Sequence, residues 1–193
     1  MTVKSGYNKF KENELSKYQS RMKELGNGQS PKTFFITCSD SRICPNLMTN
    51  TSFGELFVVR NAGNTIPAPD TQTGNGDKAT LEYAVEALGV EEIVVCGHTK
   101  CGAVGALMGG VDQAKLPNIA DYLKELEPLK KFAEDKSLTG DDVVRENVKA
   151  QCKNIAEYDF VKSKLESGKL KVVGWMYDIE SGEVEELSLE GAL

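Results

Sequence analysis

Short apolar runs alternate along this chain with longer segments of helical periodicity, and this alternation restricts the possible fold more than any other feature. The predicted strands span residues 32–38, 55–60, 92–96, 170–177 and 183–187. Predicted helices lie at about residues 8–25, 76–88, 116–132 and 142–165, and a further helix begins close to Cys101. Buried strands that alternate with helices are typical of a parallel sheet covered on both faces. We therefore predict an α/β fold: a mostly parallel central β-sheet flanked by helices, with an N-terminal helical arm and an edge strand near the C-terminus.

The whole chain, residues 1–193, is expected to form a single domain in which residues 1–28 make up the helical arm. A chain of 193 residues is long enough to build one hydrophobic core. We find no internal repeat, low-complexity tract or linker that would divide it. Residues 61–77 contain two prolines and several Gly, Asn and Thr residues, a composition that predicts a loop.

The charge and hydropathy of the chain argue against several classes of partner. Its net charge of −6 disfavours binding to nucleic acid or to an anionic membrane. No apolar run approaches the roughly 20 residues that a membrane-spanning helix requires, and the first residues lack the apolar stretch of a secretory signal. We expect a cytoplasmic protein with no membrane or nucleic-acid partner.

One histidine and two cysteines stand where predicted buried strands end. Cys38 closes the first of these strands, and His98 and Cys101 follow the third. Sites in open α/β sheets are assembled at the carboxyl ends of strands. Two thiolates and one imidazole there form a three-ligand zinc site with an open fourth position, which is the arrangement of catalytic rather than structural zinc. We predict that Cys38, His98 and Cys101 bind one Zn²⁺ per chain.

The five cysteines do not form a disulfide framework, because their number is odd and their positions are scattered. A reducing compartment is compatible with this usage. Cys96 and Cys152 are expected to be small buried residues, and the role of Cys44 stays open.

An acid and a base follow the first predicted zinc ligand. Alternate side chains of an extended segment share one face, so Cys38, Asp40 and Arg42 would point together if the chain stays extended. Asp40 and Arg42 would then form a charge-assisted pair beside the metal. In that position Asp40 could accept a hydrogen bond from zinc-bound hydroxide and orient it, while Arg42 keeps the carboxylate ionised. An isolated Asp-x-Arg is more often a surface ion pair, but the neighbouring ligands favour a catalytic role.

These segments resemble the β-class carbonic anhydrases in residues, order and spacing. The similarity is carried by Cys38–Arg42, Glu55–Asn61, Glu82–Val85 and Cys96–Ala103. It continues more loosely through Asn147–Gln151 and Gly174–Asp178. The resemblance implies that Cys38, His98 and Cys101 are the zinc ligands and that Asp40 and Arg42 are the catalytic dyad.

The resemblance also implies an activity, an assembly and a substrate pocket. The activity is that of a lyase that reversibly hydrates CO₂ to bicarbonate and a proton, by attack of zinc-bound hydroxide that the Asp/Arg dyad orients. The minimal unit is a homodimer, often paired into larger assemblies, with the active site at the subunit interface. The resemblance implies five substrate-binding residues. Gln29 would reach across the interface, and Gly102 would contribute its backbone N–H. The CO₂ pocket would be lined by Phe57, Ala62 and Tyr83.

One branch of that family carries a tryptophan three residues before the first zinc cysteine, as part of an inhibitory bicarbonate site. The corresponding residue here is Phe35, and the glutamine of plant-like members is present as Gln29. The chain therefore resembles the plant-like, non-allosteric branch.

Two other functions use the same residues. Hydrolysis of carbon disulfide or carbonyl sulfide requires the same ligands and dyad, and differs in the shape of the access tunnel. A non-catalytic zinc or redox-sensing module is the other alternative, in which Cys44, or Asp40 released from Arg42, would close the fourth position. We expect Asp40 to stay with Arg42 at neutral pH.

Overall fold

The computed structural model of the chain describes residues 2–71 and 75–189. Across these residues the sheet has five strands, in the spatial order β2-β1-β3-β4-β5. They are β1 (Thr33–Cys38), β2 (Leu56–Asn61), β3 (Glu92–His98), β4 (Lys171–Tyr177) and β5 (Val184–Leu187). Strands β1 to β4 are parallel, and β5 pairs antiparallel with β4. The predicted mostly parallel sheet with an edge strand near the C-terminus is confirmed.

Helices surround this sheet and connect its strands. They are α1 (Val3–Asn13), α2 (Leu15–Leu25), α3 (Pro45–Met48), α4 (Gly76–Glu82), α5 (Gly102–Gly109), α6 (Pro117–Tyr122), α7 (Glu127–Asp135), α8 (Asp141–Ala156) and α9 (Asp159–Glu166). A π-helical turn, Tyr83–Ala87, extends α4, and a 3₁₀ turn, Leu123–Leu126, joins α6 to α7. The longest helix, α8, packs across β3 and β4.

The central strands are apolar on both faces because both faces are covered. On β1, Phe34 and Ile36 belong to the large core, whereas Phe35 lies on the other face with Val94 and Cys96. Successive side chains of a strand point to opposite faces. A strand buried on both sides therefore reads as a continuous apolar run rather than as an alternating one.

Two long predicted helices are interrupted in the structure. The helix predicted over residues 8–25 is instead the pair α1 and α2, which break at Glu14. The break allows Phe10 and Tyr18 both to pack on Phe53, with ring centroids 6.3 and 5.2 Å away. The helix predicted over residues 142–165 ends at Ala156, and Tyr158 has an extended backbone before α9 begins.

The helix predicted over residues 116–132 is also divided, here by proline. Pro128 lies in the first turn of α7, after the 3₁₀ turn. Proline has no N–H to donate and clashes with the preceding turn, so a helix starts at such a residue instead of running through it.

The predicted loop between β2 and α4 is present, although its residues 72–74 lie outside the described residues. The carboxyl ends of β1, β2 and β3 meet at one edge of the sheet, where this loop also begins. None of the helices in the described part of the chain has both the length and the apolar character needed to cross a bilayer.

Candidate metal centre and active site

The three predicted metal ligands meet at this edge of the sheet. Cys38 ends β1, His98 ends β3, and Cys101 immediately precedes α5. Their ligand atoms all lie within 4.8 Å of one another, and all three residues are buried. Among the described residues this is the one group of three or more His, Cys, Asp or Glu side chains with such spacing. The adjacent parallel pairing of β1 and β3 brings the ligands together.

The segment between His98 and Cys101 turns sharply to place both residues on one side. Lys100 has a φ of +56°, which is uncommon for a residue other than glycine. The turn is held from two sides: the Lys100 N–H donates to Asp141 Oδ1 at 2.7 Å, and Arg42 Nη2 donates to the Lys100 carbonyl at 3.2 Å.

The His98 ring is oriented as a metal ligand. Its Nδ1 donates to the Thr99 carbonyl at 2.9 Å, because a carbonyl can only accept, and in the neutral ring Nε2 is therefore the nitrogen without a proton. Nε2 is buried and has no hydrogen-bond partner. An unpartnered buried acceptor is costly unless something binds it. A carbonyl that fixes the tautomer from behind is the usual second-shell partner of a metal-binding histidine.

The two cysteines share a site that favours ionisation of one thiol. A hydrogen bond from Cys101 lowers the pKa of Cys38, and the backbone N–H groups of Gly63 and Asp40 also stabilise its thiolate. The same hydrogen bond raises the pKa of Cys101. The backbone N–H groups of Ala103 and Val104, in the first turn of α5, act in the opposite direction and lower the pKa of Cys101, as expected for a thiol at a helix N-terminus. Two thiols and one imidazole with a free acceptor nitrogen form a donor set that fits zinc.

Asp40 and Arg42 form the predicted pair, but through a turn rather than an extended segment. β1 ends at Cys38, and the Ile43 N–H donates to the Asp40 carbonyl at 3.2 Å. The condition of an extended chain from Cys38 to Arg42 is therefore not met, although the two side chains pair. Arg42 donates to both oxygens of the Asp40 carboxylate, from Nε to Oδ1 at 2.9 Å and from Nη2 to Oδ2 at 2.7 Å.

This pair lies beside the ligand cluster. Asp40 Oδ2 is 3.9 Å from His98 Nε2, and the Asp40 side chain is 16% exposed. The hydrogen bonds from Arg42 hold the pKa of the Asp40 carboxyl well below its usual range. The site thus places an ionised carboxylate next to the free imidazole nitrogen, while both carboxylate oxygens stay engaged by Arg42.

A cavity of about 430 Å³ opens from the ligand cluster. Its lining includes Cys38, Ser39 and Asp40. The remaining wall is mostly apolar or small and is formed by Ala62, Gly102, Ala103, Ala106, Gly110, Val111, Asp112, Leu116 and Ile119. Two of the five predicted substrate-binding residues, Ala62 and Gly102, therefore line the cavity.

The other three predicted substrate-binding residues do not line this cavity within one chain. Phe57 lies near the opposite end of β2 from Asn61, packed against Tyr83 with ring centroids 6.0 Å apart. Tyr83 is 50% exposed, and Gln29 is exposed between α2 and β1.

Arg60 is a residue of the site that sequence reasoning missed. Its Nε donates to the Cys38 carbonyl at 3.1 Å, and its Nη2 donates to the Asp40 carbonyl at 2.6 Å. It thereby holds the backbone that carries Cys38 and Asp40. The parallel pairing of β1 with β2 could have identified Arg60, since it lies opposite Thr37, one residue before Cys38.

The remaining cysteines lie outside the ligand cluster. Cys96 and Cys152 are buried, as expected of small apolar residues, and burial raises the pKa of each thiol to about 12. Cys44 is exposed and does not belong to the cluster. The structure thus gives no support to closure of the metal site by Cys44.

Comparison with known proteins agrees with this geometry. The carbonic anhydrase family model matches residues 33–184. A carbonic anhydrase of Synechocystis sp. is 42% identical over 97% of this chain and 70% of the relative. The solved β-carbonic anhydrase CcaA has a TM-score of 0.90 at 40% identity, covering 96% of this chain and 93% of that one.

A more distant solved structure has the same fold. One of two tetrameric β-carbonic anhydrases from the fungus Sordaria macrospora has a TM-score of 0.84 at 25% identity, with 95% of this chain and 94% of that one covered. The family match covers most of the chain, and the similarity includes both strands that carry the metal-ligand cluster. This chain belongs to the carbonic anhydrase family and, within it, to the β class.

Proposed function

We propose that this chain catalyses the reversible hydration of CO₂ to bicarbonate and a proton. The observation that carries the proposal is the buried Cys38–His98–Cys101 cluster, with a free imidazole nitrogen 3.9 Å from the carboxylate of the Asp40–Arg42 pair. Relatives that align over nearly the whole chain are named carbonic anhydrases. The activity, the metal and the residue roles below are part of this proposal.

Cys38, His98 and Cys101 are the residues that would hold zinc. The donor set supports this assignment, because soft thiolates and imidazole favour zinc over hard cations. Within the described residues the cluster has three members, which leaves a fourth position for water or substrate. When bound, zinc supplies Lewis acidity that brings the pKa of water towards neutrality.

Asp40 orients the attacking water. Its carboxylate is ionised and can only accept hydrogen bonds, so a water that donates to it must direct a lone pair elsewhere. Arg42 holds the carboxylate at two points, which fixes its direction as well as its charge. Arg60 holds the backbone on which Asp40 stands.

The apolar wall of the cavity receives CO₂, which has no charge and no hydrogen to donate. Ala62 and Ala103 offer small apolar surfaces close to the ligand cluster. We assign the Gly102 N–H to an oxygen of bicarbonate, because it belongs to the first turn of α5, where N–H groups lack intrahelical acceptors. Accurate placement of a weakly bound substrate is the main contribution such a pocket makes to the rate.

We further propose that the working unit is a homodimer. The helices α1 and α2 contain no buried residue within residues 3–25, and β2 is an edge strand of the sheet in the described part of the chain. Exposed apolar side chains lie on or next to β2: Val58 of that strand is 37% exposed, and Tyr83, which packs against Phe57, is 50% exposed. Unpaired edges and exposed apolar surface mark association sites.

A second copy would also complete the active site. Gln29, Phe57 and Tyr83 lie away from the cavity of their own chain, and dimerisation through β2 and the helical arm would bring the same residues of a partner to it. Larger assemblies are consistent with the tetrameric fungal relatives. We assign the chain to the plant-like branch because it has Gln29 and because Phe35, which packs edge-on against Trp175, stands where the other branch has a tryptophan.

Stopped-flow measurement of CO₂ hydration on protein of known zinc content tests the proposed function. We expect about one zinc per chain and rapid hydration in the wild-type protein. Cys38→Ser should lose zinc and activity together. Cys44→Ser is the matched control: it removes an exposed cysteine outside the cluster and should retain both.

Two results would contradict the proposal. Wild-type protein that binds no zinc would refute the ligand set. Protein that binds zinc but does not hydrate CO₂ would leave the ligand set intact and refute the reaction, and carbon disulfide and carbonyl sulfide would then be the substrates to assay.

A further inference from the structure

Two amide side chains are buried on the face of α8 that packs against the sheet. Asn147 is fully buried, and Gln151 is 2% exposed. Their neighbours on that helix face are apolar and include Val144, Val148 and Ile155. Burying an amide costs free energy unless its donors and acceptors are satisfied, so the partners of these two side chains indicate what they do.

The two amides form a hydrogen-bonded chain that ends at the loop following β2. Gln151 Nε2 donates to Asn147 Oδ1 at 3.1 Å, and Asn147 Nδ2 donates to the Gly63 carbonyl at 2.8 Å. Gln151 Oε1 in turn accepts the Ile66 N–H at 2.7 Å. The amide of Asn147 is thus fixed in orientation by Gln151 and directed at Gly63.

Gly63 and Asn64 form a tight turn beneath the metal-ligand cluster. Both have left-handed backbone conformations, with φ of +83° and +51°, which glycine and asparagine adopt more readily than other residues. The backbone N–H of Gly63 lowers the pKa of the Cys38 thiol, which places this turn close to the Cys38 sulfur. A Cβ on Gly63 would lie 3.4 Å from the Cβ of Ala103, two residues after Cys101.

The same turn also reaches the strand that carries the third ligand. Asn64 is fully buried, and its Oδ1 lies 3.8 Å from the position that a Cβ of Gly97 would take, one residue before His98. The turn therefore lies close to Cys38 and near residues that are one and two positions away from the other two ligands. A shift of this turn would therefore change the positions of all three ligands.

We propose that Asn147 is a positioning residue for the metal site. By fixing the Gly63 carbonyl it sets the orientation of the turn, and hence of the backbone that lies beside Cys38, Gly97 and Ala103. This role rests on the proposed metal ligation and means that α8 supports the metal ligands through the turn at Gly63. Partners that orient ligands in this way typically change metal affinity or activity by about 10- to 100-fold when removed.

Metal binding by Asn147→Leu, compared with Tyr158→Phe, tests this role. Asn147→Leu removes the donor to Gly63 at nearly constant volume. Tyr158→Phe removes another buried donor to the same loop, the hydroxyl that reaches the Pro67 carbonyl at 2.7 Å. Both variants should melt below the wild-type protein, because each leaves a buried carbonyl without its donor.

Only Asn147→Leu should alter the metal site. We expect its zinc affinity, measured by chelator competition, to fall by about 10- to 100-fold. We also expect its cobalt-substituted form to show a shifted thiolate-to-cobalt charge-transfer band. Tyr158→Phe should keep the wild-type affinity and spectrum.

An Asn147→Leu protein with wild-type zinc affinity and cobalt spectrum, but lowered stability, would overturn the proposal and reduce Asn147 to a structural role. If that variant does not fold, Gln151→Met removes the donor that orients Asn147 and should shift the spectrum in the same direction. An unchanged spectrum in Gln151→Met would then overturn it. Absence of a cobalt–thiolate band from the wild-type protein would instead refute the ligand set, and with it the positioning role of Asn147.

Discussion

Single hydrogen bonds decide which atoms of this site are free to react. His98 donates from Nδ1 to a carbonyl, and this leaves Nε2 free and buried. Arg42 occupies both oxygens of Asp40, so the carboxylate has a fixed direction as well as a fixed charge. The turn at Lys100 depends on Asp141. Each of these bonds selects one orientation of a group that could otherwise rotate.

The pairing of Arg42 with Asp40 predicts that charge alone is not sufficient at position 42. Arg42→Lys keeps the positive charge but loses the two-point grip, because an ammonium is a point donor without the planar fork of a guanidinium. We expect kcat/KM for CO₂ hydration to fall by roughly 10²-fold, the size of effect that a misplaced catalytic group can have. Zinc content should be unchanged. Arg145→Lys, which alters an arginine paired with Glu185 away from the site, should retain the wild-type rate, and full activity in Arg42→Lys would contradict the role.

At the scale of elements, the close approach of α8 to the sheet connects the core to the site. A Cβ on Gly97 in β3 would lie 2.6 Å from Val148 Cγ2 and 3.0 Å from Val144 Cγ1. Gly174 in β4 has a similar contact, 2.9 Å from Val148 Cγ1. These two glycines let α8 lie close enough for its amides to reach the loop after β2.

Gly97→Ala is therefore expected to destabilise the protein by about 1–3 kcal/mol, the usual cost of overpacking a core. Adding Val148→Ala should recover part of this loss, since the two changes share one contact. Gly105→Ala is the matched control in α5, where a Cβ meets nothing within 4 Å. Because alanine is the better helix former, it should be neutral or stabilise by about 0.5–1 kcal/mol. Denaturant unfolding measures all of these, and equal losses in Gly97→Ala and Gly105→Ala would refute the packing argument.

At the scale of the whole molecule, the described chain has two dissimilar sheet edges. β2 is a six-residue edge beside the helices α1 and α2, with apolar side chains exposed nearby. β5 is a four-residue edge whose first three residues, Val184 to Glu186, are exposed. Short, charged strands are a common protection against edge pairing. The asymmetry favours β2, rather than β5, as the face on which a second copy binds.

Val58→Asp and Val184→Asp form a matched pair that tests this assignment. The two valines have similar exposure, 37% and 41%, and lie on opposite edges of the sheet. A buried, unpaired charge at an interface is costly, so Val58→Asp should shift the protein towards monomer in light scattering. Its hydration activity should fall with dimer content, because Gln29, Phe57 and Tyr83 of the partner would be lost. Val184→Asp should stay dimeric and active; a dimeric Val58→Asp would place the interface elsewhere.

Much of the fold and of the metal centre could be predicted from the sequence, because their signals are local. A strand that is buried on both faces has a continuous apolar sequence. This pattern predicted the ends of β1 and β3 to within two residues. Parallel strands end at a common edge of the sheet, so Cys38, His98 and Cys101 could be expected to converge from their positions alone.

What only the tertiary structure decided depends on residues far apart in the chain. The helices break at Glu14 and Tyr158, where nearby side chains contact Phe53 and Pro67. No local sequence pattern predicts these contacts. The turn after Cys38 and the grip of Arg60 on its backbone follow from strand pairing. The sequence by itself determined which residues can bind the metal. Only the tertiary structure decided which residues hold the ligands in place. Asn147 and Gly63, for example, are 84 residues apart, and a hydrogen bond between such distant residues forms only when the chain folds.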